Sequence, residues 1–399
     1  MNITLKLKIN NNNDVLLTIQ QYTKALNYVS QSAFSKNEKV RNAITLQKIY
    51  YNQVREAYNL PSQMACTIFR DIAGKYKANK RKLKKAISFK ESHINYTFNR
   101  DFSIKGNVLS ICTINGRKKF ELNICEYYQK ILEKSVKYCD SILVKDHKGQ
   151  LYFCLVVEVP ECEVSNKGNT MGIDLGLSKL ATASTNIGKT LVINGGKVKD
   201  KRFKHLKLRE KLQRKGTRSA KKLLRKISGR ENRWMKDINF CVVKKVLAFA
   251  NQNNVSHIGI EDLSGIRNSK LRKEQRRRLN SWAFYQFRRI LEYKAKLQGI
   301  NIIALDPRYT SQACSKCGHV ERANRKTQKS FVCNSCGFSQ NADINASSNI
   351  EFLTRLSRSN SMGGAVVNQP DVSDVEAKGL FRQLRQSSDT SQRALAVGS

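Results

Sequence analysis

The sequence predicts a multidomain α/β protein that works on a polyanion, and three observations carry that reading. Its 399 residues leave room for two or three domains at about 150 residues each, every one large enough to bury a core, so a mini-protein is excluded. Its 73 Lys and Arg outnumber 31 Asp and Glu, a formal charge of +42, while 40% hydrophobic and 26% charged residues is globular composition. Charge of one sign repels itself unless a polyanion neutralises it, which makes nucleic acid the first partner to expect. Third, in the C-terminal half three leading strands are followed by helix–strand alternation, the pattern of a mixed sheet with helices on its faces. An acidic membrane surface is the other polyanion. No apolar run approaches the roughly 18 residues of a spanning helix, and Met1 to Asn10 lacks the apolar stretch of a signal peptide. The expectation is a cytoplasmic or nucleoid-bound protein with no membrane partner.

Taken in order, Asn2 to Ile9 alternates polar and apolar residues and reads as a strand ended by the asparagine run 10–13. Helical spacing follows from about Val15 to Leu83, with Pro61 as the first-turn proline of a helix through Met64, Ile68, Ile72 and Tyr76. That helix ends in a basic run including Lys77 and Arg81, either a solvated face or a phosphate contact. Between Ile87 and Val164 strands are expected at 108–114, 120–124, 141–145 and 152–159, forming a small barrel that the first strand joins, so that the helical region becomes an insertion. Residues 163–170 read as a linker. Beyond it come strands at 172–175, 181–185 and 190–194, long helices over 201–253, a strand at 257–261, a helix at 281–298, a strand at 302–305 and a last helix from Asp343. The weakly periodic stretch beyond Ser357 predicts a disordered tail.

Eleven cysteines in a chain this long do not suggest a disulfide scaffold. Seven of them (66, 112, 125, 139, 154, 162, 241) stand singly among apolar residues and read as small buried thiols. The other four form Cys314-x2-Cys317-x15-Cys333-x2-Cys336, two CxxC turns each followed by glycine. Four thiolates suit one closed, tetrahedral, structural Zn²⁺, with neighbouring His319 a bystander. The basic residues around them, Arg325 and Lys329 among them, suggest contact with phosphates.

Three carboxylates form the second constellation. Asp174 lies in the short strand Met171-Gly-Ile-Asp-Leu-Gly176, where glycines keep the neighbourhood open; Glu261 ends another apolar strand; Asp343 opens a helix, where capping is the alternative reading. Together they can bind two Mg²⁺ ions about 4 Å apart, hard cations that clamp the attacking and leaving oxygens of a phosphodiester displacement. The histidines are dispersed without a Ser/His pair, and Ile187-Gly-Lys-Thr190 lacks the earlier glycine of a phosphate loop. The third constellation is basic: 17 Lys or Arg against three acids between Lys197 and Arg233, including Arg214, Arg218 and Arg225. Arg272 to Arg278, with Arg276 and Arg277, follows Glu261. Both flank the acids and would neutralise a nucleic-acid backbone beside them.

Gly172-Ile-Asp-Leu-Gly176, Ile260-Glu-Asp-Leu263, the segment Tyr309 to His319 and Asn341-Ala-Asp-Ile-Asn-Ala346, in that order, resemble the TnpB (OrfB) family of insertion-sequence transposons, strongly over about 170–355 and more loosely before it, at Leu60-Pro-Ser-Gln63. The resemblance implies an RNA-guided DNA endonuclease related to miniature type V CRISPR effectors, with a RuvC-like RNase H fold interrupted by a zinc ribbon. On that basis Asp174, Glu261 and Asp343 would be the catalytic acids holding two Mg²⁺, and Cys314, Cys317, Cys333 and Cys336 the ligands of one Zn²⁺. Residues 1–10 and 87–168 would be a wedge barrel, 11–86 a helical recognition domain, 169–310 with 339–356 the nuclease, 311–338 the ribbon and 357–399 the tail. The partners would be a guide RNA and double-stranded DNA, with base pairing reading the target and the protein reading a short adjacent motif, Gln63 and Thr67 being the candidates for base contact. A monomer is favoured. Phe240 stands where relatives carry His, and Ala342 where many carry Arg; neither removes a carboxylate. The rival readings are a guide-dependent DNA-binding repressor, a compact CRISPR effector using a CRISPR RNA, and a strand-transfer transposase.

Overall fold

Alternating burial along the first strand, β1 (Asn2–Lys8), with Leu5 and Leu7 inside, fixes its place: it pairs antiparallel along its whole length with β7 (Leu151–Glu158). A segment far along the sequence thus closes on the N-terminus, as the alternation predicts. In this computed structural model residues 1–361 are described, apart from 37, 39, 80–82, 84, 92, 166, 263–283 and 328. Arg81, Arg276, Arg277, the basic cluster around the latter two and the tail beyond 361 therefore lie outside the described residues. The chain divides into two units, Met1–Pro160 and a second beginning at Glu161.

In the first unit β1 and β7 are joined by β6 (Lys137–Lys145) and β2 (His93–Tyr96) in the order β1-β7-β6-β2. A second sheet holds β3 (Phe102–Lys105), β4 (Val108–Thr113) and β5 (Gly116–Glu121). Buried Tyr96, Phe102 and Phe153 pack at ring distances of 5.0 and 6.0 Å and fill the space between the two sheets. Between β1 and β2 the single helical stretch resolves into α1 (Asn13–Ser35), α2 (Ala43–Tyr58) and α3 (Ser62–Ala78). Asn12 caps α1 by accepting the Asp14 and Val15 N–H groups, and Asn42 caps α2 in the same way. Pro61 stands one residue earlier than expected, as the cap of α3 rather than in its first turn. The short helix α4 (Glu126–Glu133) was not expected; only its Ile131 is buried, too little to leave a periodic signal.

The second unit is built on a five-stranded mixed sheet ordered β10-β9-β8-β11-β12, from β8 (Asn169–Asp174), β9 (Lys179–Thr185), β10 (Thr190–Asn194), β11 (Val255–Glu261) and β12 (Asn301–Leu305). β8, β11 and β12 run parallel to one another, β9 runs antiparallel to β8, and β10 pairs antiparallel with β9. The helices are α5 (Gly196–Lys215), α6 (Arg218–Gln252), α7 (Phe284–Lys296) and α8 (Ala342–Ser361), and the small hairpin β13 (Ser330–Val332) and β14 (Ser339–Asn341) precedes α8. Met171, Ile173, Ile258 and Ile260 share a core with Val243 and Val246 of α6 and Phe287 and Leu291 of α7.

Three expectations change. Gly172 and Gly259 are register partners on β8 and β11, and they do not open the sheet. A Cβ on Gly172 would stand 2.1 Å from the Glu351 backbone nitrogen and 2.3 Å from the Ser347 carbonyl oxygen, so Gly172 lets the α8 backbone lie directly on its strand, while Gly259 makes room for the Thr354 side chain of the same helix. None of the seven scattered cysteines is buried: Cys112, Cys139 and Cys154 occupy the more open face of their strands, Cys66 is half-buried, and Cys125, Cys162 and Cys241 are exposed. On β4 and β7 the apolar residues beside Cys112 and Cys154, Ile111, Phe153 and Leu155, are inside, and the thiols lie on the other face. Last, α8 continues to Ser361, past the expected start of the tail. No described helix is long and apolar enough to cross a membrane.

Candidate active site and four-cysteine cluster

Ile173 of β8 pairs with Ile260 of β11, so the residues that follow them, Asp174 and Glu261, end two parallel neighbours side by side. The carboxyl ends of parallel strands are where open α/β sheets carry their sites. Asp343 enters from the first turn of α8. It does not cap the helix, because its N–H is already accepted by the Asn341 side chain at 3.1 Å; its carboxylate faces Lys179 Nζ at 3.2 Å and the Arg325 guanidinium at 3.5 Å. Asp174 senses the other two. Burial, then the charges of Glu261 and Asp343, push the Asp174 carboxyl up to about 7, against the pull of Arg325 and the Leu175 N–H. Burial also raises Glu261, while the Thr310 hydroxyl and Arg325 oppose it.

Gathered at one end of the sheet, the three carboxylates are hard oxygen donors. The donor set fits Mg²⁺, and Asp174, Glu261 and Asp343 are the residues that would hold it. Asp174 and Asp343 line a cleft of about 760 Å³ together with Lys179, Lys199, Arg325 and Lys329. Acids and cations lining one cleft suit a phosphodiester with its metal counter-ions.

The cysteines meet as their spacing predicts. In each CxxC turn the N–H of the following glycine returns to the carbonyl of the first cysteine, Gly318 to Cys314 at 2.9 Å and Gly337 to Cys333 at 3.0 Å, and both glycines have positive φ, 73° and 68°. All four sulfurs lie within 4.8 Å of one another, with Cys314 to Cys336 at 3.8 Å and Cys317 to Cys333 at 3.6 Å. Tetrahedral ligation with Zn–S of about 2.3 Å requires sulfurs about 3.8 Å apart, so the quartet fits zinc and not a disulfide pair.

The other expected residues are spread out. Gln63 is half-buried, accepting from Arg100 at 2.9 Å and donating to Thr97 at 3.3 Å. Thr67, one turn on, is 6% exposed, its hydroxyl donated to the Gln63 carbonyl. Lys77 is exposed on α3, and Arg214, Arg218 and Arg225 are exposed on α5 and α6. That helical pair is tied by Arg209 and the buried acid Glu231, 3.4 Å apart, and burial pulls neighbouring Arg202 down to about 10. Sequence reasoning missed Lys179 and Thr310 at the acids, and took Arg325 only for a residue of the ribbon surface. Lys179 and Thr310 have no local signature; only the fold brings them there.

Comparison with known proteins places the chain. A family model described as "Probable transposase" matches residues 153–267, and one described as "Cas12f1-like, TNB domain" matches 284–350. The TnpB-like protein MJ0751 of Methanocaldococcus jannaschii is 30% identical over 267 residues, covering 62% of this chain and 91% of that protein. The chain belongs to the TnpB-like family. It is also similar to the CRISPR-associated endodeoxyribonuclease Cas12f1 of Syntrophomonas palmitatica, 30% identical over 207 residues, or 49% of this chain and 41% of the relative. With the "Putative RNA-guided DNA endonuclease InsQ" of Escherichia coli it shares 29% identity over 238 residues, 53% of this chain and 55% of the relative. The chain thus spans about half the length of these last two relatives.

Proposed function

We propose that this TnpB-like chain is an RNA-guided DNA endonuclease that cuts both strands of its target, in turn, at one site formed by Asp174, Glu261 and Asp343. The observation that carries the reading is the convergence of those acids, from two adjacent strand ends and a helix start, with Asp174 pushed up to about 7 by burial and then by the charges of the other two. The sheet order and the place of the acids fit a RuvC-like RNase H fold, and the paired knuckles fit an inserted zinc ribbon over 311–338. The first unit fits a wedge barrel, 1–10 with 87–168, carrying a recognition insertion, 11–86. Names of relatives that include RNA-guided and CRISPR-associated nucleases support the same class. The partners are a guide RNA and double-stranded DNA in the cytoplasm.

When bound, the two Mg²⁺ ions supply the Lewis acidity that activates water and stabilises the leaving oxygen. The chain's residues do the rest. Asp174, Glu261 and Asp343 provide the oxygens that hold those ions, and Lys199 and Lys329 at the cleft draw in the phosphates next to the scissile bond. The exposed cations of α5 and α6 hold the nucleic-acid backbone without reading its sequence. Cys314, Cys317, Cys333 and Cys336 would hold Zn²⁺ as a structural cross-link.

The test is to sequence the RNA that copurifies with the protein and offer a plasmid library complementary to its variable end with randomised flanks. Wild type should linearise a subset of flanks and Asp174→Ala none. Binding without cleavage by both proteins would replace the nuclease with a guided repressor. Joining of transposon ends would replace it with a strand-transfer enzyme.

A further inference from the structure

We propose that Thr310 is a positioning residue for Glu261, held in place by Asn349 of the helix that also presents Asp343; this rests on the nuclease reading of the cleft. Thr310 is 1% exposed, and its hydroxyl donates to Glu261 Oε1 at 2.5 Å. Its carbonyl accepts from Asn349 Nδ2 at 2.9 Å, and the same amide reaches the Ala313 carbonyl at 2.7 Å. One turn earlier on α8, Asn345 donates to the Ala313 carbonyl at 2.8 Å and accepts the Ser315 N–H at 2.9 Å. Both asparagines are fully buried.

The consequence is geometric. A glutamate has three side-chain torsions, and one occupied oxygen removes most of that freedom. Thr310 therefore fixes the plane of the Glu261 carboxylate and leaves Oε2 for a cation. Because two asparagines of α8 clamp the 310–315 loop, one rigid helix sets two of the three acids, Asp343 directly and Glu261 through Thr310. Partners behind metal-holding groups commonly contribute 10- to 100-fold to metal affinity.

The hydroxyl also lies 3.1 Å from the Pro307 carbonyl, so a purely structural tether is the rival explanation. Thr310→Val and Thr310→Ser separate the two in the full chain with its guide RNA, with three readouts: thermal midpoint, Mn²⁺ affinity by electron spin resonance without DNA, and the Mg²⁺ concentration for half-maximal cleavage. Thr310→Val should bind Mn²⁺ about 10- to 100-fold more weakly and need correspondingly more Mg²⁺; Thr310→Ser should restore both. Wild-type Mn²⁺ affinity in Thr310→Val, or a serine variant no better than valine, overturns the proposal, including when the midpoint falls. Glu261→Gln is the control for the reading beneath it. If that variant binds Mn²⁺ and cleaves like wild type, the nuclease assignment itself fails.

Discussion

Replacing Gly172 by alanine tests how the sheet and α8 hold the acids together. The new methyl carbon would stand 2.1 Å from the Glu351 nitrogen, where ordinary contact begins at 3.4 Å, and both atoms that it meets first are backbone. Backbone cannot rotate away, so α8 must shift by about 1 Å. Overpacking of this kind costs about 1 to 3 kcal/mol, and a domain of roughly 200 residues loses about 2 to 4 °C of thermal midpoint per kcal/mol. The same shift carries Asp343 away from Asp174, and a displacement of about 1 Å at a reacting centre lowers a rate by roughly 100-fold. Gly229→Ala, inside α6 where only the end of the Arg233 side chain comes within 3.4 Å, is the control. Calorimetry and guided plasmid cleavage on both variants should show Gly172→Ala down by several degrees and about 100-fold, and Gly229→Ala at or above wild type in stability. If Gly172→Ala melts and cuts like wild type, the helix does not rest on this strand.

Further outcomes follow from the same geometry. In Mg²⁺-free buffer the native state retains a proton on Asp174 up to about pH 7 that the unfolded chain gives up near 3.8. Its stabilisation is therefore full below the lower value and lost as pH rises through the upper one, about 4 kcal/mol in all. Melting curves from pH 5 to 8 should show that slope in wild type and lose most of it in Asp174→Asn. Substituting Cys336 by serine should drop bound zinc from one equivalent to near none by elemental analysis, and retained zinc would refute the four-sulfur site. Changing Arg214, Arg218 and Arg225 together to glutamine should flatten the salt dependence of RNA binding by about 2 to 3 units of slope if each meets a phosphate, and leave it unchanged if they face only solvent.

The site was legible where chemistry leaves a mark in one dimension. Cysteines at fixed spacing and an acid inside an apolar strand are improbable without a use, and Cys314 to Cys336, Asp174 and Glu261 stand where that argument puts them. Asp343 was ambiguous because an acid at a helix start has a local use; the structure gives that use to Asn341. Gly172 was seen, but its purpose was not, since the helix that it admits lies 175 residues further on, at Ser347. Thr310 and Lys179 were invisible for the same reason: an ordinary threonine and lysine acquire meaning only from what the fold sets beside them. In the first unit, β2 and β3 were missed because four-residue strands are shorter than any reliable alternation.

The most direct measurement is the cleavage rate of an RNA-programmed plasmid with Asp174→Asn, Glu261→Gln and Asp343→Asn singly and all together. Residues that act as one unit lose nearly everything at the first substitution, so each single variant should be about as slow as the triple. Losses that multiply from one variant to the next, or one variant that still cuts at the wild-type rate, would contradict a shared site.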